Sequence, residues 1–303
     1  MPLDLSYEDI CAKFDRLISD GIINYQPSKP ILVTDNGMIF SFHLVESLKI
    51  KPQAEDAPET TKSSLINGVK AQPMSFGPGS DIANDHPDMC ITMVNETHYL
   101  VMNKFPVFRP MLLLLTVDSY RRQHEPLVLD DIEAGWSVIC GLNEEHYVFF
   151  NCGELAGCSR EHKHLQVVPA PGRHEGYDEG FKFFPDDDKQ MAPRIVHFMQ
   201  KFEELPGNRV EGGEHLLEVY QCLLQQAREA LNISTDVPCP HNFVLTKRWM
   251  VVIPRLAKEF HGFTANSPGM MGSVYIWTQE QLDAWKRIGP MNILRGLGLP
   301  RGE

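Results

Sequence analysis

Residues 151–169 read NCGELAGCSREHKHLQVVP. A loop containing Gly153, Ala156, Gly157 and Ser159 runs into His162, Lys163, His164, Leu165 and Gln166. The second part reads as a strand over 163–168, ended by Pro169 and Pro171, because proline cannot donate to a sheet ladder. On a strand, His162, His164 and Gln166 share one face about 6–7 Å apart. Lys163, Leu165 and Val167 share the other, which packs on a core with the lysine at its edge. The small residues let backbone N–H groups approach a ligand and form an anion nest.

Imidazoles and an amide beside such a nest suit phosphate chemistry. A neutral imidazole nitrogen is a nucleophile near pH 7 without a metal. Attack on an α-phosphorus would leave a nucleotide on histidine and expel the remaining phosphates, and a second acceptor would then take the nucleotide. Gln166 can donate to a phosphate oxygen without titrating. Lys104 and Arg160 could stabilise the developing charge. Two other readings compete. His-x-His also occurs as a structural or chance pair, and histidines on one strand ligate zinc. Cys140, Cys152 and Cys158 are near in sequence, but no metal-type spacing frames them and Gln166 is a poor third ligand, so no protein metal site is expected.

Outward from this stretch the pattern is mixed. A helix is expected over 6–20, capped by Ser6 and stopped by Gly21. Strands are expected over 38–44, 91–102, 111–117 and 147–150, with NKFPVFRP joining the second and third. Residues 51–88 read as a long mobile loop. Asp130 can cap a short helix to about 141, and 172–193 is polar and irregular. Residues 214–232 form the clearest helix. HNFVLT and WMVVIP flank Lys247–Arg248 as a hairpin, although the turn lacks glycine or asparagine. SVYIWT is the last strand and 279–288 the last helix. Without regular βαβ alternation, the fold class is α+β, a mainly antiparallel sheet with flanking helices.

The 28 Lys+Arg against 40 Asp+Glu give a net charge of -12 across 303 residues, which argues against a nucleic-acid polymer as partner. No apolar run approaches the roughly 20 residues of a membrane span, and no basic-then-apolar leader opens the chain. The seven cysteines are odd in number and include no C-x-x-C. A reducing compartment follows: the cytoplasm, or cytoplasm and nucleus together.

FFNCGELAGCSREHKHLQVVPAP resembles the signature of the diadenosine tetraphosphate phosphorylases (ATP adenylyltransferases). These are histidine-triad proteins of the branch related to galactose-1-phosphate uridylyltransferase. Their pattern is His-x-His-x-Gln after an Asn-x-Gly…Gly-x-Ser loop. SLKIKP (47–52), VMNKFPVFRP (101–110), HNFVLTKRWMVVIPR (241–255) and NSPGMMGSVYI (266–276) follow in the family's order, so the resemblance spans most of the chain. It implies a histidine-triad/uridylyltransferase-like fold. Residues 1–172 would form a nucleotide-binding region, and 190–303 an adenylyltransferase-like region completing the same fold.

The resemblance also implies roles. His164 would be the nucleophile that carries AMP, Gln166 would contact the α-phosphate, and His162 would orient or protonate. Asn151 and the turn Gly157, Cys158, Ser159 and Arg160 would hold phosphates. Asn103 and Lys104 match the family's Asn-Lys pair, Lys51 its lysine before proline, and Asn266, Ser267 and Pro268 a nucleotide-contacting turn. Diadenosine tetraphosphate, or a related nucleoside polyphosphate, would be cleaved with inorganic phosphate to ADP and ATP, with Mg2+ at most accompanying the polyphosphate. Four positions depart. Ser273 stands where methionine is usual, Trp277 where a phosphate-contacting lysine is expected, Cys152 replaces a serine, and Glu154 adds a carboxylate beside the anion site. They leave open another acceptor, such as water or a metabolite phosphate, and a nucleotide-binding protein without turnover.

Overall fold

The computed structural model describes residues 3, 5–50, 76–82, 86–171, 180–204 and 209–302. In chain order the elements are α1 (Tyr7–Ser19), β1 (Ile31–Asp35), β2 (Met38–Leu44), β3 (Cys90–Val94), β4 (His98–Met102) and β5 (Leu112–Thr116). Then come α2 (Leu129–Gly141), β6 (His146–Cys152), β7 (His164–Pro169), β8 (Phe198–Lys201) and α3 (Arg209–Leu231). The chain finishes with β9 (His241–Leu245), β10 (Trp249–Pro254), α4 (Ser267–Met270), β11 (Ser273–Ile276), α5 (Gln279–Ile288) and α6 (Pro290–Leu297). The fold is α+β. An eight-stranded sheet in the order β3-β4-β5-β7-β6-β9-β10-β8 forms its centre, and every neighbouring pair in it is antiparallel.

Alternation along the central strands builds two cores. Val148 and Phe150 of β6 join Leu165, Val167, Phe243 and Val252 beneath α1, α2 and α3. Tyr147 and Phe149 join Val168, Val244 and Val251 on the opposite face, with residues of β2, β11, α5 and α6. Every residue of β6 is therefore buried, and a strand covered on both faces reads as a continuous apolar run. A smaller sheet, β1-β2-β11, lies on the second face. Strand β11 runs parallel to β2, with Tyr275 opposite His43 and Ile276 opposite Leu44. Residues just after both strands therefore leave at the same edge.

Several expectations hold in detail. Ser6 caps α1 through the N–H of Asp9. The β9–β10 hairpin turns at Lys247–Arg248 without glycine because Thr246 Oγ1 accepts from the N–H groups of Arg248 and Trp249, both at 3.0 Å. Others are corrected. Residues 91–102 are not one strand but the hairpin of β3 and β4, which turns where Asn95 and Glu96 adopt φ of 52° and 62°. A further helix, α6, follows the one expected as last, with Pro290 at its first turn where no N–H is needed. Strands β1 and β8 were unexpected. Of the loop expected over 51–88, residues 51–75 and 83–85 lie outside the described residues, while Phe76 is buried against Val101 and Leu115. No helix among the described residues is long and apolar enough to cross a membrane.

Lys163 is also corrected. It is fully buried rather than at a core edge, and its Nζ lies 2.6 Å from Asp131 Oδ2 and 2.7 Å from the Pro126 carbonyl. Asp131 also receives the Val128 N–H at the start of α2 and meets His98 Nε2 at 3.1 Å. Burial alone would raise the carboxyl's pKa, but His98 and Lys163 outweigh it and hold the group below the usual carboxylate range. This buried pair fastens β7 to α2 from behind.

Candidate active site

Strands β6 and β7 pair from His146 opposite Pro169 as far as Phe149 opposite Gln166. Beyond that point the side chain of Gln123 stands between them. Its Oε1 accepts from the His164 N–H at 2.8 Å, and its Nε2 donates to the carbonyls of His164 at 3.0 Å and Asn151 at 3.2 Å. A side-chain amide thus satisfies the backbone groups that a continued ladder would pair, and the two strands part. Nothing in the sequence marked Gln123, an ordinary polar residue 41 positions from His164.

Where the strands part, a cavity of about 340 Å³ opens on the second face of the sheet. One wall is apolar: Leu48, Phe105, Val107, Met111, Val274 and the ring of Tyr275. The lining also has a polar part: Asn151, Gly157, Ser159, His164, Gln166 and Asn266. Lys49 and the partly exposed Trp277 also line it, brought together by the parallel pairing of β2 and β11. A few polar groups in an otherwise apolar lining are what a small-molecule site requires.

His164 and Gln166 face this cavity, but His162 does not line it. His162 is fully buried just before β7, where its Nε2 lies 2.9 Å from the Thr116 carbonyl and its Nδ1 2.8 Å from Ser80 Oγ. The carbonyl can only accept, so Nε2 carries the proton and Nδ1 accepts from the serine. Burial holds His162 below the ordinary imidazole range, and the Thr116 carbonyl opposes this only in part. The backbone N–H groups of Glu161 and His162 both donate to Asp81, at 2.8 and 3.0 Å. His162 therefore reaches His164 through its main chain: its carbonyl lies 2.8 Å from His164 Nδ1. That assigns the proton of His164 to Nδ1 and the lone pair to Nε2. His146, His197 and His241 make the same bond to the carbonyl two residues back, so the bond belongs to strand-start backbone geometry. What sets His164 apart is the cavity it faces.

The loop beside it is built from close approaches. Gly157 adopts φ +82°, and a Cβ there would meet the Ala265 carbonyl at 2.9 Å. Asn151 Oδ1 accepts from the Ser267 N–H at 2.8 Å and from Asn242 Nδ2 at 2.9 Å. Those donors fix the amide's orientation, leaving its Nδ2 donors for the cavity that Asn151 lines. Ser267 Oγ lies 2.7 Å from the same Oδ1 and 2.8 Å from the Phe150 carbonyl. Asn266 caps α4 through the Gly269 N–H, and Asn103 Oδ1 receives the Phe105 N–H.

Of the residues expected to bind substrate, Asn103, Asn151, Gly157, Ser159, Asn266 and Trp277 line the cavity with His164 and Gln166. Lys104, Cys158, Arg160, Ser267, Pro268 and Ser273 do not. Ser267, Pro268 and Ser273 are buried beneath it. Arg160 turns a guanidinium nitrogen to the Ser159 carbonyl, and burial pushes the Cys158 thiol up to about 11. Lys51 lies outside the described residues, whereas Lys49, two positions earlier in SLKIKP, stands in the wall. The feared carboxylate is paired away: Glu154 is exposed and meets Lys258 Nζ at 2.7 Å. Cys152 is buried with its Sγ 3.4 Å from the His124 carbonyl. All seven cysteines are free thiols. Among the described residues no group of three or more His, Cys, Asp or Glu could hold a metal ion.

Resemblance to known protein families extends along most of the chain. The family profile described as "Ap4A phosphorylase N-terminal domain" matches residues 8–179, and that described as "ATP adenylyltransferase C-terminal domain" matches residues 194–300. Protein APA1 of Saccharomyces cerevisiae is 30% identical over 207 residues, which cover 61% of this chain and 63% of that protein. Diadenosine 5',5'''-P1,P4-tetraphosphate phosphorylase 2 of the same yeast is 29% identical over 207 residues, again 61% and 63% of the two chains. These alignments thus span under two thirds of the relatives' length. Among solved structures, yeast Ap4A phosphorylase Apa2 has a TM-score of 0.75 at 22% identity, covering 100% of this chain and 97% of that one. The same enzyme in complex with Ap4A has a TM-score of 0.74 at 22% identity, covering 98% of each. At that identity the likeness is one of fold.

Proposed function

The chain belongs to the Ap4A phosphorylase family, and from that membership we propose that it is a nucleotidyltransferase that cleaves diadenosine tetraphosphate with inorganic phosphate to ADP and ATP. The observation that carries the reading is the placement of His164. Its Nδ1 proton is held by the His162 carbonyl at 2.8 Å, its Nε2 bears the lone pair, and its ring lines a cavity with Gln166, Asn151 and the Gly157–Ser159 loop.

In this reading the adenine lies on the apolar wall of Phe105, Val107, Met111 and Val274. Gln166, Asn151 and the N–H groups of the loop donate to the phosphates. His164 Nε2 attacks one α-phosphorus. A P–N bond forms as the P–O bond to the departing ATP breaks, leaving AMP on the imidazole. The ring becomes cationic, and the His162 carbonyl stabilises it by accepting from Nδ1–H. Inorganic phosphate then attacks the same phosphorus. The P–N bond breaks, ADP leaves, and the imidazole returns to neutral with its Nδ1 proton never transferred. Donors aimed at charge that develops in the transition state are the largest contribution expected of such a site. The second acceptor enters past Lys49 and Trp277.

The test is an incubation with diadenosine tetraphosphate, with and without phosphate, followed by separation of the nucleotides. Formation of ADP and ATP only when phosphate is present supports the proposal. AMP and ATP without phosphate would make the protein a hydrolase, and binding without products a nucleotide-binding protein.

A further inference from the structure

Arg255 follows β10 directly and is 1% exposed. Its Nε donates to the Leu297 carbonyl at 3.2 Å, Nη2 to the Ala257 carbonyl at 3.0 Å, and Nη1 to Asn242 Oδ1 and the Ala265 carbonyl, both at 2.7 Å. Every one of these acceptors is uncharged. Among the described residues no ion pair includes Arg255, whereas Lys163, also buried, has Asp131. Burial alone pulls the guanidinium's pKa down to about 9, so it remains charged at neutral pH. The donor fork satisfies these carbonyl and amide oxygens, yet a buried cation without a counter-charge among the described residues is costly.

The partners of Arg255 indicate its use. Ala265 lines the cavity, and its carbonyl is the atom that Gly157 approaches. Asn242, held by Nη1, passes its own Nδ2 to Asn151 Oδ1 at 2.9 Å and to the Ala156 carbonyl at 2.8 Å. One cation therefore holds Ala265 directly and, through Asn242, both Ala156 and Asn151.

We propose that Arg255 is the positioning residue of the phosphate subsite and its fixed positive charge, so that the negative charge of a bound polyphosphate offsets the guanidinium's desolvation. The inference rests on the cavity being the nucleotide site. It predicts that Arg255 is felt in proportion to ligand charge, which a purely structural residue would not be. Calorimetric affinities for adenosine, AMP, ADP and ATP should be compared in the wild-type chain, Arg255→Gln and Arg255→Lys, with thermal shifts by inorganic tripolyphosphate alongside.

Arg255→Gln is expected to bind adenosine within about twofold of wild type yet to lose roughly tenfold or more for ATP, with AMP and ADP between. The tripolyphosphate shift should vanish with it. Arg255→Lys keeps the charge and loses the fork, so its ATP-over-adenosine preference should stay within about threefold while kcat falls. Equal losses for adenosine and ATP in Arg255→Gln would overturn the proposal. If that variant does not fold, loss of the preference in Arg255→Lys would do the same. A wild-type chain stabilised by tripolyphosphate through Arg255, but indifferent to all four adenine compounds, would instead sink the nucleotide reading and leave the charge assignment standing.

Discussion

The carbonyl oxygen of His162 receives the Nδ1 proton of His164 at 2.8 Å, while the His162 ring is spent on Ser80 and Thr116. The two histidines of the motif thus do different things: one lines the cavity, and the other supports it through the backbone. A side-chain change that keeps both ring partners should therefore be mild. His162→Gln is expected to retain turnover within about tenfold of wild type while lowering the thermal midpoint, because misplacement, not loss of a reacting group, is the damage. Steady-state assays and thermal unfolding check this. Abolished turnover in a folded His162→Gln would give its imidazole a part in the chemistry.

Gln123→Glu keeps the acceptor for the His164 N–H but cannot donate to the carbonyls of His164 and Asn151. Two buried carbonyls then face a carboxylate. The expected loss of stability is about 2–6 kcal/mol, summed over two orphaned acceptors, with kcat falling more than KM rises. Denaturant unfolding beside kinetics tests it; a variant as stable and active as wild type would show that the strands part without the amide.

Trp277 occupies a position where the family's resemblance leads one to expect a lysine on phosphate. It is 38% exposed in the cavity lining, and its backbone N–H donates to Gln281 Oε1 at 2.8 Å. Trp277→Lys should tighten ATP by roughly tenfold at low salt and much less at high salt, since a rim charge is screened. Titration at two ionic strengths measures this, and unchanged affinity at both would remove Trp277 from the polyphosphate's reach.

Stability should fall on mild acidification. Burial lowers the pKa of His43 to about 3 and of His241 to about 4, from an ordinary 6.5. The unfolded chain takes up these protons near pH 6.5 and the folded one does not. Their contribution is complete above about pH 6.5 and is lost as pH falls toward 4, at about 1.4 kcal/mol per pH unit for each ring. Denaturant midpoints at pH 7.5, 6 and 5 give the slope; a flat profile would mean that these rings are protonated in the folded state.

Much of this was legible in residues 151–169 because strand alternation and the small-residue loop are local properties. His164 and Gln166 came out on the cavity face, and Leu165 and Val167 in the core behind it. What was missed is carried by contacts distant in sequence. Lys163 looks like an edge lysine until Asp131, 32 residues away, draws it inside. Gln123 and Arg255 have no local pattern at all, since each matters through a carbonyl or amide that the fold brings to it. Lys49 stands in the cavity lining, and no pattern within SLKIKP singles it out from its neighbours. The turn at Asn95–Glu96 was overlooked because it lacks the glycine that usually announces a hairpin.

In the proposed reaction the imidazole at position 164 carries AMP between donor and phosphate. Mixing the chain with radiolabelled diadenosine tetraphosphate in phosphate-free buffer, quenching in base and mapping the label measures it directly. One acid-labile adenylyl group per chain is expected on the peptide containing His164, absent from His164→Asn and discharged as ADP when phosphate is added. Phosphorolysis that proceeds with no adduct on that peptide, or that survives in His164→Asn, would contradict it.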